Sequence, residues 1–447
     1  MSRLAVPVVV AQVGLMLMGV VDTLMVGRVS AEALAAVALG NLYFTTLVVP
    51  ASGTLMVLDA VVAQAVGARD SEAIARGVQR GFVLAMAIGL LMSVVLLPVR
   101  PMLVLFHQPS ALIPVATSYV LISILGVFPF LGFVVLRQSL QAMGQMRVLV
   151  SVIVVANLMN AFLNWVLVYG HLGSPALGAP GSAWATLVSR WLMVMLLVGF
   201  GWRALHASVV PWRRETLHMT PLLAMARLGL PIGLQQGLEF GAFAAIGVLM
   251  GVLGTVEMAA HQIAINIASL TFMVPLGVGA AAAVRVGHAA GAGDADAARE
   301  SARAALVCGV GFMMCTAVAF LLVPAAIAAQ YTHDAPVAAL AATLIPVAGV
   351  FQVFDGIQAV SGGVLRGLGD TRVPFVINLA GFWLAGFPVS VALGFWTPLG
   401  AVGLWWGFVA GLGVVAALLL LRVRSRMRGA IARTSLEADV MHLATDP

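Results

Sequence analysis

Lysine is missing altogether from the 447 residues, so all 23 basic residues are arginines, and charged side chains make up only 9% of the chain. Cysteine is almost missing too. Cys308 and Cys315 lie seven apart within one apolar run, which excludes a disulfide framework and a thiolate metal site and leaves them as small packing residues. No GxxxxGK[ST] stretch occurs, and no polar connection is long enough to house a nucleotide domain, so nothing points to ATP hydrolysis. The scarcity of charge is matched by 62% hydrophobic residues and a mean hydropathy of +1.07, more apolar surface than a soluble protein needs to bury.

About 20 apolar residues suffice for a helix to cross a bilayer, and the chain supplies about a dozen such runs between short polar or Gly/Pro breaks. The first follows Arg3 and reaches about Met25; it is too long for a signal-peptide core, and no small-residue cleavage site follows it, so it is expected to be a retained span. Spans are predicted at 5–26, 34–64, 81–99, 116–143, 148–169, 181–202, 228–252, 258–287, 304–329, 337–365, 373–395 and 400–421. With a cytoplasmic N-terminus, one side collects Arg69, Arg76, Arg80, Arg147, Arg203, Arg213, Arg214, Arg299, Arg303, Arg372, Arg422, Arg424, Arg426 and Arg428. The other side holds little more than Arg28 and Arg100. This asymmetry predicts that both termini are cytoplasmic. The net charge of +6 therefore points to anionic lipid headgroups and not to nucleic acid.

The chain repeats itself. "LAVPVVVAQ" answers "LGLPIGLQQ", pairing Pro7 with Pro231 and Gln12 with Gln236, an offset of 224 residues. The same offset pairs Gly27 with Gly251, Gly67 with Gly291 and Asp70 with Asp294. Six spans per half is an even number, so the halves keep the same orientation about an axis along the membrane normal. The expected fold is an all-α polytopic membrane protein, twelve transmembrane helices in two pseudo-symmetric six-helix bundles. Its parts are an N-terminal lobe (1–203), a basic linker (204–227), a C-terminal lobe (228–421) and a tail (422–447).

Four carboxylates fall inside the apolar runs: Asp22, Asp59, Glu239 and Asp355. A carboxylate at a helix centre costs at least about 2.5–3.5 kcal/mol on insertion scales, which makes each a candidate for function. Glu239 aligns with Leu15, Asp22 with Ile246 and, allowing for small indels, Asp355 with Phe130, so the repeated fold itself requires no acid at these places. The plainer alternative is a structural carboxylate held by a hydroxyl or an arginine, and it suits Asp59 best, which lies within two turns of the membrane surface. Asn160 and Asn164 share a helical face, as do Thr186 and Arg190 on the next span. Amide oxygens can coordinate a cation, although interhelical amides are also common packing contacts.

"MGVVDTLMVGRVSAEALAAVALGN", "VVAQAVGARD", "AAHQIAINIASLTFMVPLGVGAAAAVRVGHAAG" and "FQVFDGIQAVSGGVLRGLGDTRVPF" together resemble the multidrug and toxic compound extrusion (MATE) family, in particular its NorM-type branch. The resemblance covers nearly the whole chain. It implies a monomeric, twelve-helix, two-lobe antiporter of the inner membrane, with no cofactor, that exports cationic or amphipathic small molecules in exchange for Na+ or H+. By motif, Asp22 matches the family's first-helix acid, Glu239 its seventh-helix acid and Asp355 its tenth-helix acid, with monovalent Na+ possible at Glu239 and Asp355. Asn160, Asn164 and Thr186 match polar partners of the first-helix acid, and Pro7 resembles a first-helix proline linked to bending. Arg190 lies outside the pattern; were its guanidinium to reach Asp22, a proton-carrying role for that acid would be in doubt.

Competition between an ion and a cationic substrate for one carboxylate would make exchange obligatory. A broad cavity lined by some of the 22 methionines and 20 phenylalanines would allow loose specificity. Two other functions fit these residues less well. A lipid-linked oligosaccharide flippase would line its cavity with cationic residues, whereas the intraspan charges here are mainly acidic. A membrane-embedded enzyme would draw on His261, but no second ligand stands at a suitable spacing, so a packed, hydrogen-bonded histidine is expected.

Overall fold

The computed structural model describes residues 2–429, 431 and 433; most of the tail expected from residue 422 onward lies outside the described residues. In chain order the helices are α1 (Ser2–Gly27), α2 (Ala31–Gly53), α3 (Leu58–Gly67), α4 (Ser71–Leu96), α5 (Val99–Leu105), α6 (Ile113–Leu125), α7 (Val127–Ala142), α8 (Met146–Tyr169) and α9 (Ala179–Val209). They continue as α10 (Met219–Leu253), α11 (Thr255–Gly291), α12 (Ala295–Leu322), α13 (Pro324–Ala329), α14 (Ala335–Gly367), α15 (Arg372–Asn378), α16 (Phe387–Phe395) and α17 (Gly400–Arg428). There is no strand among the described residues. This is what a bilayer demands, because a helix satisfies its own backbone polar groups.

Eleven helices among the described residues are long and apolar enough to span, two of these counts joining α2 to α3 and α15 to α16, and α6 with α7 completes a twelfth as a bent pair. α2 reaches α3 through a 3-10 stretch, Thr54–Val57, and α15 reaches α16 through a π-helical stretch, Leu379–Gly386. The α6–α7 break at Gly126 turns the axis by 48°. Several ends differ from the expected ones for local reasons. α4 begins at Ser71, ten residues before the apolar run, because Asp70 caps it by accepting from the Ala73 amide at 2.9 Å. Asp294, its repeat mate, caps α12 on Ala297 in the same way. The predicted span 304–329 ends instead at Leu322: Val323 precedes Pro324, which biases it out of the helix, and α13 restarts there.

The predicted linker is helical at both ends, leaving 210–218 as the connection between α9 and α10. It is held by Gln79, a fully buried amide on α4. Gln79 Nε2 donates to the carbonyls of Ser208 and Pro211 at 3.1 and 3.0 Å, and its Oε1 accepts from the Arg213 amide at 3.0 Å. Gly144 and Gly369 occupy corresponding turns of the two halves with φ of 75° and 73°, a left-handed conformation that glycine adopts without strain.

The helices group into two compact units, 10–233 and 2–9 with 234–429, so α1 and α10 are each divided at repeat-equivalent points. In the second unit one close seam is made by small residues: Gly403, Gly407 and Gly411 of α17 face Leu393, Ser390 and Gly386, so closely that an added Cβ would come within 2.2–2.4 Å of backbone atoms. Such stripes let apolar helices approach where no hydrophobic drive separates them from lipid. Cys308 and Cys315 do not pack as expected; both are exposed on α12.

Candidate functional site

In unit 10–233, α1, α8 and α9 bring four sequence-predicted residues together. Asp22 is 9% exposed; its Oδ1 accepts from Asn164 Nδ2 at 2.6 Å and its Oδ2 from Thr186 Oγ1 at 2.8 Å. Asn164 Nδ2 also donates to the Asn160 carbonyl at 3.0 Å and approaches Asn160 Oδ1 at 3.3 Å, one turn earlier on α8. Both asparagines are fully buried, and Asn164 Oδ1 has no hydrogen-bond partner among the described residues. Charge-assisted bonds of this kind are short and hold the carboxylate in one orientation. The cluster presents only oxygens as potential ligands, a hard donor set suited to an alkali cation.

Arg190, one turn beyond Thr186 on α9, does not hydrogen-bond Asp22. Its guanidinium lies over the Phe44 ring at 4.8 Å and the Phe130 ring at 5.2 Å, in the cation–π arrangement arginine favours. It also lies against Gly126, where a Cβ would meet its Nη1 at 2.9 Å, so the α6–α7 break makes room for it. Its charge still interacts with Asp22 through space. Asp59 is fully buried on α3 and takes no part in the hydrogen bonds to Asp22. Pro7 lies inside α1, which continues through it. Arg137, an intraspan arginine passed over in the sequence, donates to Gln12 Oε1 at 3.3 Å.

The second unit holds the other acids. Glu239, half-buried on α10, accepts from Gln358 Nε2 at 3.2 Å, and the same nitrogen donates to Asn378 Oδ1 at 2.9 Å. Asn378 returns its own Nδ2 to the Pro374 carbonyl at 2.8 Å, at the point where α15 passes into the π-helical stretch. Trp383 within that stretch donates to the Leu238 carbonyl at 3.1 Å, beside Glu239. Asp355 is buried one turn before Gln358 on α14, and its charge interacts with that of Glu239. Asp355 Oδ1 and Gln358 Oε1 are both buried with no hydrogen-bond donor among the described residues. Two buried oxygens without donors beside a second carboxylate form a place where a cation or a proton would complete the bonding.

Gln358 and Asn378 were not singled out in the sequence. The signal was present, since Gln358 is three residues from Asp355 on one helix face and Asn378 is a lone amide in an apolar run. An aromatic cluster adjoins the site: Phe243, one turn beyond Glu239, meets Phe351 and Phe408 edge to face at 5.8 and 4.8 Å. His261 is buried against Trp405, 5.6 Å between ring centres, but its Nδ1 lacks the expected hydrogen-bond partner among the described residues.

The MatE family model matches residues 7–166 and 231–392, one copy in each half. Multidrug resistance protein NorM of Burkholderia vietnamiensis is 38% identical over 441 residues, covering 96% of this chain and 94% of its own length. Multidrug resistance protein MdtK of Pectobacterium atrosepticum is 35% identical, covering 97% of this chain and 96% of its own. Among solved structures, the eukaryotic MATE transporter AtDTX14 superposes with a TM-score of 0.85 at 24% identity, covering 95% of this chain and 94% of that one. A MATE structure described as outward-facing, of the MOP superfamily, superposes with a TM-score of 0.86 at 20% identity, covering 96% and 95%. These last two likenesses speak for the fold, whereas the repeated family match and the full-length relatives speak for descent: the chain belongs to the MatE family, on its NorM-type branch.

Proposed function

We propose that this protein is a secondary active multidrug efflux transporter of the bacterial inner membrane, exporting organic cations and amphipathic drugs by antiport with Na+ or H+. The observation that carries this reading is the second-unit cluster, in which Asp355 Oδ1 and Gln358 Oε1 are buried without donors next to Glu239. Water-poor surroundings penalise two uncompensated carboxylates, so one monovalent cation or one proton is held there. A cationic substrate and the ion then compete for the same negative charge, and release of one accompanies binding of the other. The Asp22 cluster, with its oxygen-only ligands, is a second coupling position in the first lobe. Both lobes thus carry an acid, at positions that are not equivalent in the repeat. The lobes of 1–203 and 228–421, a monomeric assembly and cytoplasmic termini complete the proposal.

The test is export of an organic cation from proteoliposomes with sodium and pH gradients imposed separately. Glu239→Gln and Asp355→Asn keep the shape and remove the charge. Each is expected to leave insertion and yield normal while lowering ion-driven export at least about a hundredfold, toward leak. Export by either variant with unchanged sodium and pH dependence would make that carboxylate structural.

A further inference from the structure

The first turns of α12 and the last turns of α17 enclose an open groove of about 800 Å³. Its wall changes character along the two helices. Arg299 and Arg303 of α12 and Arg424 and Arg428 of α17 line its outer part. Further in, Val307, one turn beyond Arg303, and Leu420, one turn before Arg424, take over together with Val423. Both helices belong to the spanning set, one beginning and the other ending here, so the groove lies where the spans leave the apolar slab.

The arginines are not equally engaged. Arg299 is used within the fold, donating from Nε to the Met427 carbonyl at 2.8 Å and pairing with Asp296 at 2.7 Å. The neighbouring Arg422 and Arg426 both pair with Asp370. Arg303, Arg424 and Arg428 make no ion pair or side-chain hydrogen bond among the described residues, although all three are exposed toward the groove. Val307, one turn beyond Arg303 on α12, is 72% exposed, an apolar side chain left open in the same groove as the three arginines. A purely soluble anion gains nothing from that apolar wall, and an organic cation would be repelled by the outer part. A phosphodiester attached to a hydrocarbon chain satisfies both, since guanidinium groups bind phosphate oxygens in pairs while the chain covers the apolar side.

We propose that this groove binds an anionic phospholipid, its phosphate held by Arg303, Arg424 and Arg428 and an acyl chain lying along Val307, Leu420 and Val423. The site is separate from both acidic clusters and does not depend on what the protein transports. The rival occupant is the chain's own acidic end, Glu437, Asp439 and Asp446.

Native mass spectrometry of the full chain in detergent, titrated with dioleoylphosphatidylglycerol, dioleoylphosphatidylcholine or inorganic phosphate, tests the proposal. One tight phosphatidylglycerol adduct is expected, at least about tenfold tighter than phosphatidylcholine and undisplaced by equimolar phosphate. The double variant Arg303→Gln/Arg424→Gln should weaken that adduct about 25-fold, about fivefold per arginine, while the corresponding double lysine variant retains most of it. Val307→Asp, a change at an open surface position, should weaken it from the apolar side. Unchanged adducts in either the glutamine pair or the Val307 variant, or equal affinity for phosphatidylcholine, would overturn the proposal. Displacement by inorganic phosphate would reduce the site to a free-anion site. A tenfold or greater gain in lipid affinity on neutralising Glu437, Asp439 and Asp446 together would assign the groove to the chain's own end instead.

Discussion

Gln358 uses both hydrogens of one amide nitrogen, giving one to Glu239 and the other to Asn378, so it fixes the carboxylate against the α15 end of its span. A hydrogen bond to a charged group is worth about 1.5–3 kcal/mol, and Leu at this position fills a similar volume with none of it. Gln358→Leu is therefore expected to raise the concentration of coupling ion needed for half-maximal exchange by about tenfold, with little change in protein yield. Ion-dependent transport in proteoliposomes checks it; an unchanged half-saturation value would reduce the contact to packing. The acids of both clusters were legible in the sequence because a carboxylate in an apolar run is conspicuous. The amides were only partly legible. Asn160 and Asn164 stood out by their four-residue spacing, whereas Gln358 and Asn378 acquire meaning only when α14 and α15 are brought side by side.

At the scale of elements, the contact of α17 with the span that contains α15 and α16 decides how closely the π-helical stretch is held. A Cβ at Gly407 would come within 2.2 Å of the Ser390 amide nitrogen, and one at Gly411 within 2.4 Å of Gly386 Cα. Backbone cannot yield as the end of a flexible side chain can, so the two helices must separate. Gly407→Val is expected to destabilise the protein by about 1–3 kcal/mol or more and to impair transport, because Asn378 would lose its fixed distance to α14 and Trp383 its fixed distance to α10. Thermal unfolding in detergent measures the first effect; a variant that unfolds like the wild type would show that this seam tolerates expansion. The π-helical stretch gave no sign in the sequence, as "LAGFWLAG" reads as ordinary apolar helix. An extra residue per turn arises from packing, and such bulges commonly accompany functional sites.

At the scale of the whole chain, the arginine asymmetry predicts which side each connection faces. Ser208, in the last turn of α9, would be a natural labelling position beside the α9–α10 connection, but it is only 5% exposed, and its carbonyl is held by Gln79. Leu217, within the connection itself, is 58% exposed. In a background with Cys308 and Cys315 replaced, Leu217→Cys is expected to react with a membrane-impermeant maleimide only from the cytoplasmic side. Labelling in intact cells would reverse the orientation. The background replacements should cost little, since both native thiols already lie on the outside of α12.

Composition and periodicity alone determined that the chain is a bundle of about twelve apolar helices built as two copies of one half, because hydrocarbon leaves the backbone no alternative and a constant offset of paired prolines, glycines and aspartates shows the duplication. They also determined which acids were out of place. Only tertiary structure decided what those acids touch. Asp22 is met by Asn164 and Thr186, while the Arg190 guanidinium sits over two aromatic rings. Glu239 is met by Gln358 while a neighbouring oxygen of Asp355 is left without a donor. Such pairings depend on how helices far apart in sequence are rotated against one another, a property set by the packing of many side chains and carried by no single stretch of sequence.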